Sequence, residues 1–263
     1  VVGGKTGGTS GTYTAVTAGS TSSSNATSIN GSYGTIAIGA NGSYTYTVDN
    51  TLSAVQALAI GETLTDSFSY RISDGRGGFN QTTLTLTLTG TNDAPLISVA
   101  AGDNDAKVLS ESNSSLATNG TLSVTDIDIA NTVTVALDSV SASGTTAGLG
   151  VNNAGLLSML TVNNPNTVIS NSATTGTINW AFHSGIEAFN YLAEGESLSL
   201  TYTLRVTDSA GSTADKTLLI TIHGSNDTPR IAVLDATGLV VEDTPAAGNS
   251  NQLGDVYKRQ VMG

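Results

Sequence analysis

The sequence predicts an all-β protein built as tandem Greek-key β-sandwich modules. Three observations carry this. Only 11% of the 263 residues are charged, against about 25% in an average globular chain. Thr, Ser and 30 Gly fill the difference, a composition that suits strands and turns. Apolar and polar residues alternate in short runs; Leu84-Thr85-Leu86-Thr87-Leu88-Thr89 is strictly period two, with one face for a core and one for solvent. Finally, the chain matches itself at a fixed offset of 134 residues, as from Gly90 to Gly224. Self-similarity at a fixed period marks a repeat array. A unit of that length made of short strands implies a sandwich of about seven strands.

The elements follow in order. The Gly/Ser/Thr-rich residues 1–30 read as disordered or as a frayed part of a module. Thr35-Ile36-Ala37-Ile38 is a strand, and Ala40-Asn41-Gly42-Ser43 a hairpin turn of type I′, since Asn-Gly suits positive φ. Tyr44-Thr45-Tyr46-Thr47-Val48 puts Tyr44, Tyr46 and Val48 on one face. Leu52 to Leu58 reads as a short helical turn or loop cover. Phe68-Ser69-Tyr70-Arg71-Ile72 alternates, Asp74-Gly75-Arg76-Gly77-Gly78 turns, and the Leu/Thr run closes the unit.

The second copy keeps register without a gap. Glu62, Arg71, Asp74, Leu84 and Gly90 correspond to Glu196, Arg205, Asp208, Leu218 and Gly224. A two-residue shift further upstream sets Trp180 and Phe182 where Tyr44 and Tyr46 stand. The expected modules are a partial one at 1–95, a complete one at 96–229, and the start of a third at 230–254. Residues 255–263 put Lys258 beside Arg259 in a chain sparse in both; they resemble a translated sequencing adapter and are set aside.

The formal net charge of −12 argues against nucleic acid, whose phosphates demand a basic face, and against anionic membrane surfaces. Acidity serves either solubility or cation binding. The absence of Cys removes disulfides and thiolate metal sites. No run reaches the roughly 18 apolar residues of a membrane helix, so no direct membrane insertion is expected. No Gly-x-Ser-x-Gly elbow occurs. His183 and His223 read as solvent-facing strand residues. Glu194 and Glu196 share a strand phase, but Glu196 repeats Glu62 and serves the scaffold. Trp180, Phe182, Phe189, Tyr191 and Tyr202 read as core. The expectation is a non-enzymatic protein.

The repeats meet at Gly90-Thr91-Asn92-Asp93-Ala94-Pro95 and Gly224-Ser225-Asn226-Asp227-Thr228-Pro229. Calcium takes six to eight oxygens, mostly carboxylates and carbonyls. Near the first joint the sequence offers Asn92, Asp93, Glu111 one strand later, and Asp126 and Asp128 on one face of an extended segment. Whether Asp74 reaches a joint is left open. The competing reading is a plain turn, since Asn and Asp cap turns and Pro fixes φ.

The Asn-Asp-Ala-Pro joint, the Gly34-Thr35-Ile36…Gly42-Ser43-Tyr44-x-Tyr46 run and the Asp74-Gly-x-Gly-Gly78 turn resemble VCBS-type repeats. These are cadherin-like tandem modules of large secreted bacterial adhesins. The resemblance covers residues 31 to 243 and implies Ca²⁺ between modules, with Asn92, Asp93, Asp126, Asp128 and Glu111 as ligands. At the second joint it implies Asn226, Asp227 and Glu242. The chain departs from the cadherin pattern where Gly90 and Gly224 replace an Asp, and where Ala94 and Thr228 replace an Asn. The resemblance further implies a structural extender at the bacterial cell surface, exported by type I secretion, for adhesion and biofilm formation. Its partners would be neighbouring repeats of the chain, with surface or matrix glycans engaged through other domains. The alternatives are a carbohydrate- or surface-binding module and a spacer on a secreted hydrolase.

Overall fold

The structure is a computed structural model, and it describes residues 1–228 except 9 and 164. The expected third module, the tail at 255–263 and Glu242 lie outside the described residues. The first seven strands are β1 (Gly3–Thr6), β2 (Thr14–Ala15), β3 (Thr27–Asn30), β4 (Gly34–Ile38), β5 (Tyr44–Val48), β6 (Thr63–Ser73) and β7 (Phe79–Thr89), with one turn of helix, α1 (Ser53–Gln56), between β5 and β6. They form two sheets, β2-β1-β6-β7 and β3-β4-β5. A small core of Val16, Ile29, Ile36, Ile38 and Phe68 lies among them. The first 30 residues are thus not uniformly irregular: β1 pairs antiparallel with β6 from Gly3↔Arg71 to Thr6↔Phe68.

Nine strands follow: β8 (Leu96–Ser98), β9 (Ala106–Ser110), β10 (Ala117–Thr125), β11 (Val133–Gly144), β12 (Leu160–Val162), β13 (Thr167–Ile169), β14 (Thr175–His183), β15 (Ser197–Asp208) and β16 (Thr213–His223); α2 (Asn153–Ser158) precedes β12. Their sheets are β12-β14-β10-β8 and β13-β11-β15-β16-β9. This is a sandwich around a larger core, in which Trp180, Phe182, Phe189 and Tyr202 are buried. Tyr191 is only partly buried against it. His183 and His223 are exposed, in keeping with their strand phase. Alternation explains the core directly: in β15, Leu198, Leu200, Tyr202, Leu204 and Val206 are all fully buried, and the residues between them are not.

The repeat seen in the sequence is a repeat of structure. Hairpin β6–β7 pairs Thr63↔Thr89 through Ser73↔Phe79. Hairpin β15–β16 pairs Ser197↔His223 through Thr207↔Thr213, each residue displaced by the same offset.

Two sequence expectations change. In the 39–43 turn only Gly42 has positive φ, at 88°. Gly39 accepts from Gly42 N–H, and Gly39 N–H donates to Ser43. This is not type I′; a three-residue hairpin loop with Gly in the left-handed position fits. Tyr44 was expected to share the inner face, yet it is 47% exposed. No helix among the described residues is long and apolar enough to cross a membrane.

Candidate metal centre at the first joint

Asn92 and Asp93 lie between the two cores, on the segment from β7 to β8. Three other segments converge on them: the Asp126–Asn131 loop after β10, the Asp208 turn between β15 and β16, and Glu62 before β6. Asn92 Nδ2 donates to Asp208 Oδ2 at 2.9 Å, to Ser212 Oγ at 2.9 Å and to the Asp93 carbonyl at 2.9 Å. Asn131 Nδ2 donates to Asn92 Oδ1 at 2.8 Å. The Asp93 N–H donates to Asp128 Oδ2 at 2.8 Å, and the Asp128 N–H to Asp126 Oδ1 at 3.1 Å.

Asp126, Asp128, Asn131 and Asp208 are buried, while Asp93 stays exposed. Ile127 between the two Asp side chains is 43% exposed; the expected one-face arrangement of Asp126 and Asp128 is what sends Ile127 outward. Two carboxylate oxygens, Asp126 Oδ2 and Asp128 Oδ1, are buried with no hydrogen-bond partner. Burial pushes both carboxyls above the ordinary value; Asp93 and Asp208 push them further, with Asp128 also acting on Asp126 and Glu62 on Asp128. The three ion pairs among the described residues use Arg205 and Lys216, with Asp138, Asp215 and Asp105, and none touches this cluster. A buried carboxylate without a partner is costly, and a hard cation with oxygen ligands is the chemistry such a set accepts.

The arrangement is not a finished cage. Among the described residues, no three Asp, Glu or His side chains stand together in metal-holding geometry. The Asn92 and Asn131 amides instead sit on Asp208 and Asp128 as donors. For Ca²⁺, the Asn92 and Asn131 side chains would have to turn oxygens where they now present N–H₂ groups. The donor set is of the oxygen chemistry that a hard cation accepts, and the oxygens of Asp126 and Asp128 without hydrogen-bond partners are its unsatisfied positions.

Asp208 and Asn131 were not among the sequence candidates. Asp208 repeats Asp74, and topology decides between them. The β15–β16 turn returns to the first joint, whereas Asp74 lies at the far end of β6 from Thr63 and Gly90. Both turns are built alike: Asp74 Oδ1 accepts from Arg76 and Gly78 N–H, and Asp208 Oδ1 from Ala210 and Ser212 N–H. Oδ2 of Asp208 is thereby left to face the joint.

Glu111 is a correction. It was expected at the first joint, one strand after Asn92-Asp93. β9 runs parallel to β16 and carries Glu111 to the opposite end of the sandwich. There it is buried, and Oε1 accepts from Ser225 N–H at 3.0 Å. Beside it Asn113 Nδ2 donates to Asp227 Oδ1 at 2.8 Å, and Asn190 Nδ2 to Asn113 Oδ1 at 2.8 Å. Asn226 is exposed. The second joint therefore gathers Glu111 with Asp227.

The glycines that replace Asp have a steric cause. A Cβ on Gly90 would lie 2.3 Å from the Leu58 carbonyl oxygen and 2.4 Å from that of Ala59; on Gly224 it would lie 2.4 and 2.3 Å from those of Leu192 and Ala193. Each glycine also donates its N–H to a Glu carbonyl, Gly90 to Glu62 and Gly224 to Glu196, both at 3.0 Å. No side chain fits there.

Residues 3–90 match the family model of the bacterial cadherin-like domain. No curated protein matches the sequence. Among solved structures, the protocadherin GammaB4 extracellular domain is similar at 15% identity over 76% of this chain and 27% of its own, with a TM-score of 0.36. Protocadherin Gamma B2 extracellular cadherin domains 3–6 are similar at 13% identity over 74% and 40%, TM-score 0.34. The CooA pilin subunit of enterotoxigenic Escherichia coli is similar at 18% identity over 52% and 100%, TM-score 0.28. This chain thus spans well under two thirds of either protocadherin chain.

Proposed function

We propose that this chain is a non-enzymatic extender segment of a large extracellular bacterial adhesin of the VCBS type, with Ca²⁺ held at its joints. The observation that carries the reading is the pair of buried, partnerless oxygens of Asp126 and Asp128 at a junction that also holds Asp93, Asp208 and Glu62. The match of residues 3–90 to the bacterial cadherin-like domain supports it. Modules at 1–95 and 96–229 would meet end to end. A cation shared by Asp93 of the linker, Asp126, Asp128 and Asp208 of the following sandwich and Glu62 of the preceding one ties three pieces of chain. Without it their like charges repel and the joint bends; with it the array stiffens and holds a binding domain away from the cell, in adhesion and biofilm formation. Export by type I secretion belongs to the same reading.

Thermal unfolding in EDTA, then across calcium with magnesium as control, tests it. Binding to the folded state alone stabilises by about 2.7 kcal/mol at a hundredfold excess over Kd. For a chain of this size that is roughly a 5–10 °C rise in Tm. The rise should be specific to calcium and be lost in Asp93→Ala and Asp126→Ala. A Tm indifferent to calcium would reject the cation and leave a passive spacer.

A further inference from the structure

Arg71 and Arg205 are counterparts, but they meet different partners. In the second sandwich Arg205 is held by carboxylates. Its Nε and Nη2 donate to the two oxygens of Asp215, both at 2.7 Å, and Nη1 lies 3.2 Å from Asp138 Oδ1. In the first sandwich Gln81 stands at the place of Asp215, and Phe79 at the place of Thr213. The Arg71 guanidinium carbon lies over two rings, 4.6 Å from the centre of Phe79 and 5.1 Å from that of Tyr13. None of the ion pairs among the described residues reaches Arg71, and its buried Nε has no hydrogen-bond partner. The fold places both rings. Tyr13 Oη donates to Gln81 Oε1 at 3.0 Å, which sets the ring across β1 and β6. Gly3, paired with Arg71, leaves room for it: a Cβ there would lie 2.9 Å from Tyr13 Cβ. Phe79 pairs with Ser73 at the turn end of hairpin β6–β7 and is 60% exposed. A hollow of about 350 Å³, lined by Ser73, Asp74, Phe79 and Asn80 among others, opens there. The second sandwich leaves the corresponding face open too, with the Arg205 side chain 41% exposed.

We propose that Tyr13, Arg71 and Phe79 form a binding platform for a sugar that carries a carboxylate. An exposed aromatic ring offers apolar area and an electron-rich face, which suits the C–H face of a pyranose. A guanidinium is the planar fork that takes a carboxylate in two bonds, and this one has no carboxylate of the chain upon it. Stacking on two rings holds the fork in place, so little side-chain freedom is lost when a ligand arrives. Ser73 and Asn80 supply donors and acceptors for the sugar hydroxyls. A neutral sugar would leave the guanidinium unused, and an apolar ligand would leave the polar side of the hollow unused as well. A terminal sialic acid and a galacturonate chain share the required chemistry. The platform lies at the opposite end of hairpin β6–β7 from Asn92 and Asp93, so the proposal does not rest on the cation reading and is tested in EDTA.

An NMR shift titration of the full chain, read at the Arg71 Nε–H and Asn80 amide signals, compares sialyllactose, trigalacturonate and lactose. The two carboxylated sugars should move both signals along a saturating curve and leave the Trp180 indole N–H in place. Lactose should bind at least about tenfold more weakly, the loss expected when a charged hydrogen bond is not made. Phe79→Ala removes an exposed ring and should weaken both carboxylated sugars by about threefold or more. Arg71→Gln, followed at Asn80, should bind them no better than lactose. Binding of one carboxylated sugar and not the other supports the platform and identifies which source it takes. Carboxylated sugars that bind no more tightly than lactose overturn the proposal, and so do affinities unchanged by Phe79→Ala. Should Arg71→Gln fail to fold, Phe79→Ala and the lactose comparison decide.

Discussion

Asp126 and Asp128 sit out of water, each with one oxygen that meets no donor. Burial raises both carboxyls above their usual value, and Asp93 and Asp208 add to the rise. A folded carboxyl that titrates above its unfolded value holds its proton more tightly in the fold. Its contribution is therefore complete below the ordinary carboxylate value of about 4 and is lost as pH climbs through the raised one. The metal-free chain should thus gain stability when acidified from neutrality toward about pH 4, as read by urea midpoints. Calcium, which needs these groups ionised, should reverse the slope. Asp126→Asn keeps the shape and drops the charge. In EDTA it should raise the urea midpoint at neutral pH and flatten the acid gain; in calcium it should lower the midpoint instead. An unchanged slope in the variant would mean that Asp126 is not the group responsible. The Asp126-x-Asp128 pair was legible in the sequence because period two needs no tertiary knowledge. Asp208 was not, because loops 80 residues apart meet only once the sandwich has closed, and Asn131 was not, because its bond to Asn92 joins segments 39 residues apart. Glu111 was misplaced for the same reason: nothing local says that β9 runs parallel to β16 and ends far from the strand before it.

Among the elements, the β5–β6 contact rests on a polar anchor that alternation does not announce. Asp66 lies on an inward phase of β6 and is buried. Its oxygens accept from Ser32 N–H at 2.7 Å, Tyr33 N–H at 3.0 Å and Tyr46 Oη at 2.6 Å. Burial alone would raise this carboxyl, but the bonds from Tyr46, Ser32 and Tyr33 outweigh it and hold it below the ordinary value. Asp66 thus behaves oppositely to Asp126: its stabilisation is present above the unfolded value and lost as pH falls through its own. Acid stability should therefore peak and then fall. Tyr46→Phe deletes a bond to a buried charge, worth about 1.5–3 kcal/mol. The lower-melting transition should drop accordingly while Tyr46's ring contact with Phe68, centroids 6.0 Å apart, is retained by Phe. A loss well under 1 kcal/mol would show that water replaces the hydroxyl. In the larger sandwich the comparable test is Leu200→Ala, fully buried on β15, which should cost about 2–5 kcal/mol. That strand was readable residue by residue from its alternation. The register of its hairpin was readable from the repeat. Asp66 was not, since an Asp amid Thr and Ser carries no sign of the three donors waiting for it.

For the whole molecule, two cores of unequal size share one joint. Five buried residues form the core within 16–68, and a far larger set forms the one within 97–222. Stability follows buried apolar area, so the smaller core should open first when nothing ties it to its neighbour. The only Trp, Trp180, is in the larger core, so its fluorescence reports one sandwich while calorimetry reports both. In EDTA, calorimetry should resolve two transitions, the earlier of them silent in Trp180 emission. A cation held by Glu62 from the first group of strands and by Asp126, Asp128 and Asp208 from the second would couple the two, because opening either would release it. Saturating calcium should then merge the transitions into one that fluorescence and calorimetry report at the same temperature. Glu62→Gln should split them again with less effect on the Trp180 transition than Asp128→Asn, since Glu62 belongs only to the smaller partner. Two transitions that both move with calcium yet never converge would place the ion inside the second sandwich alone, and the joint would then hinge freely whether or not calcium is bound.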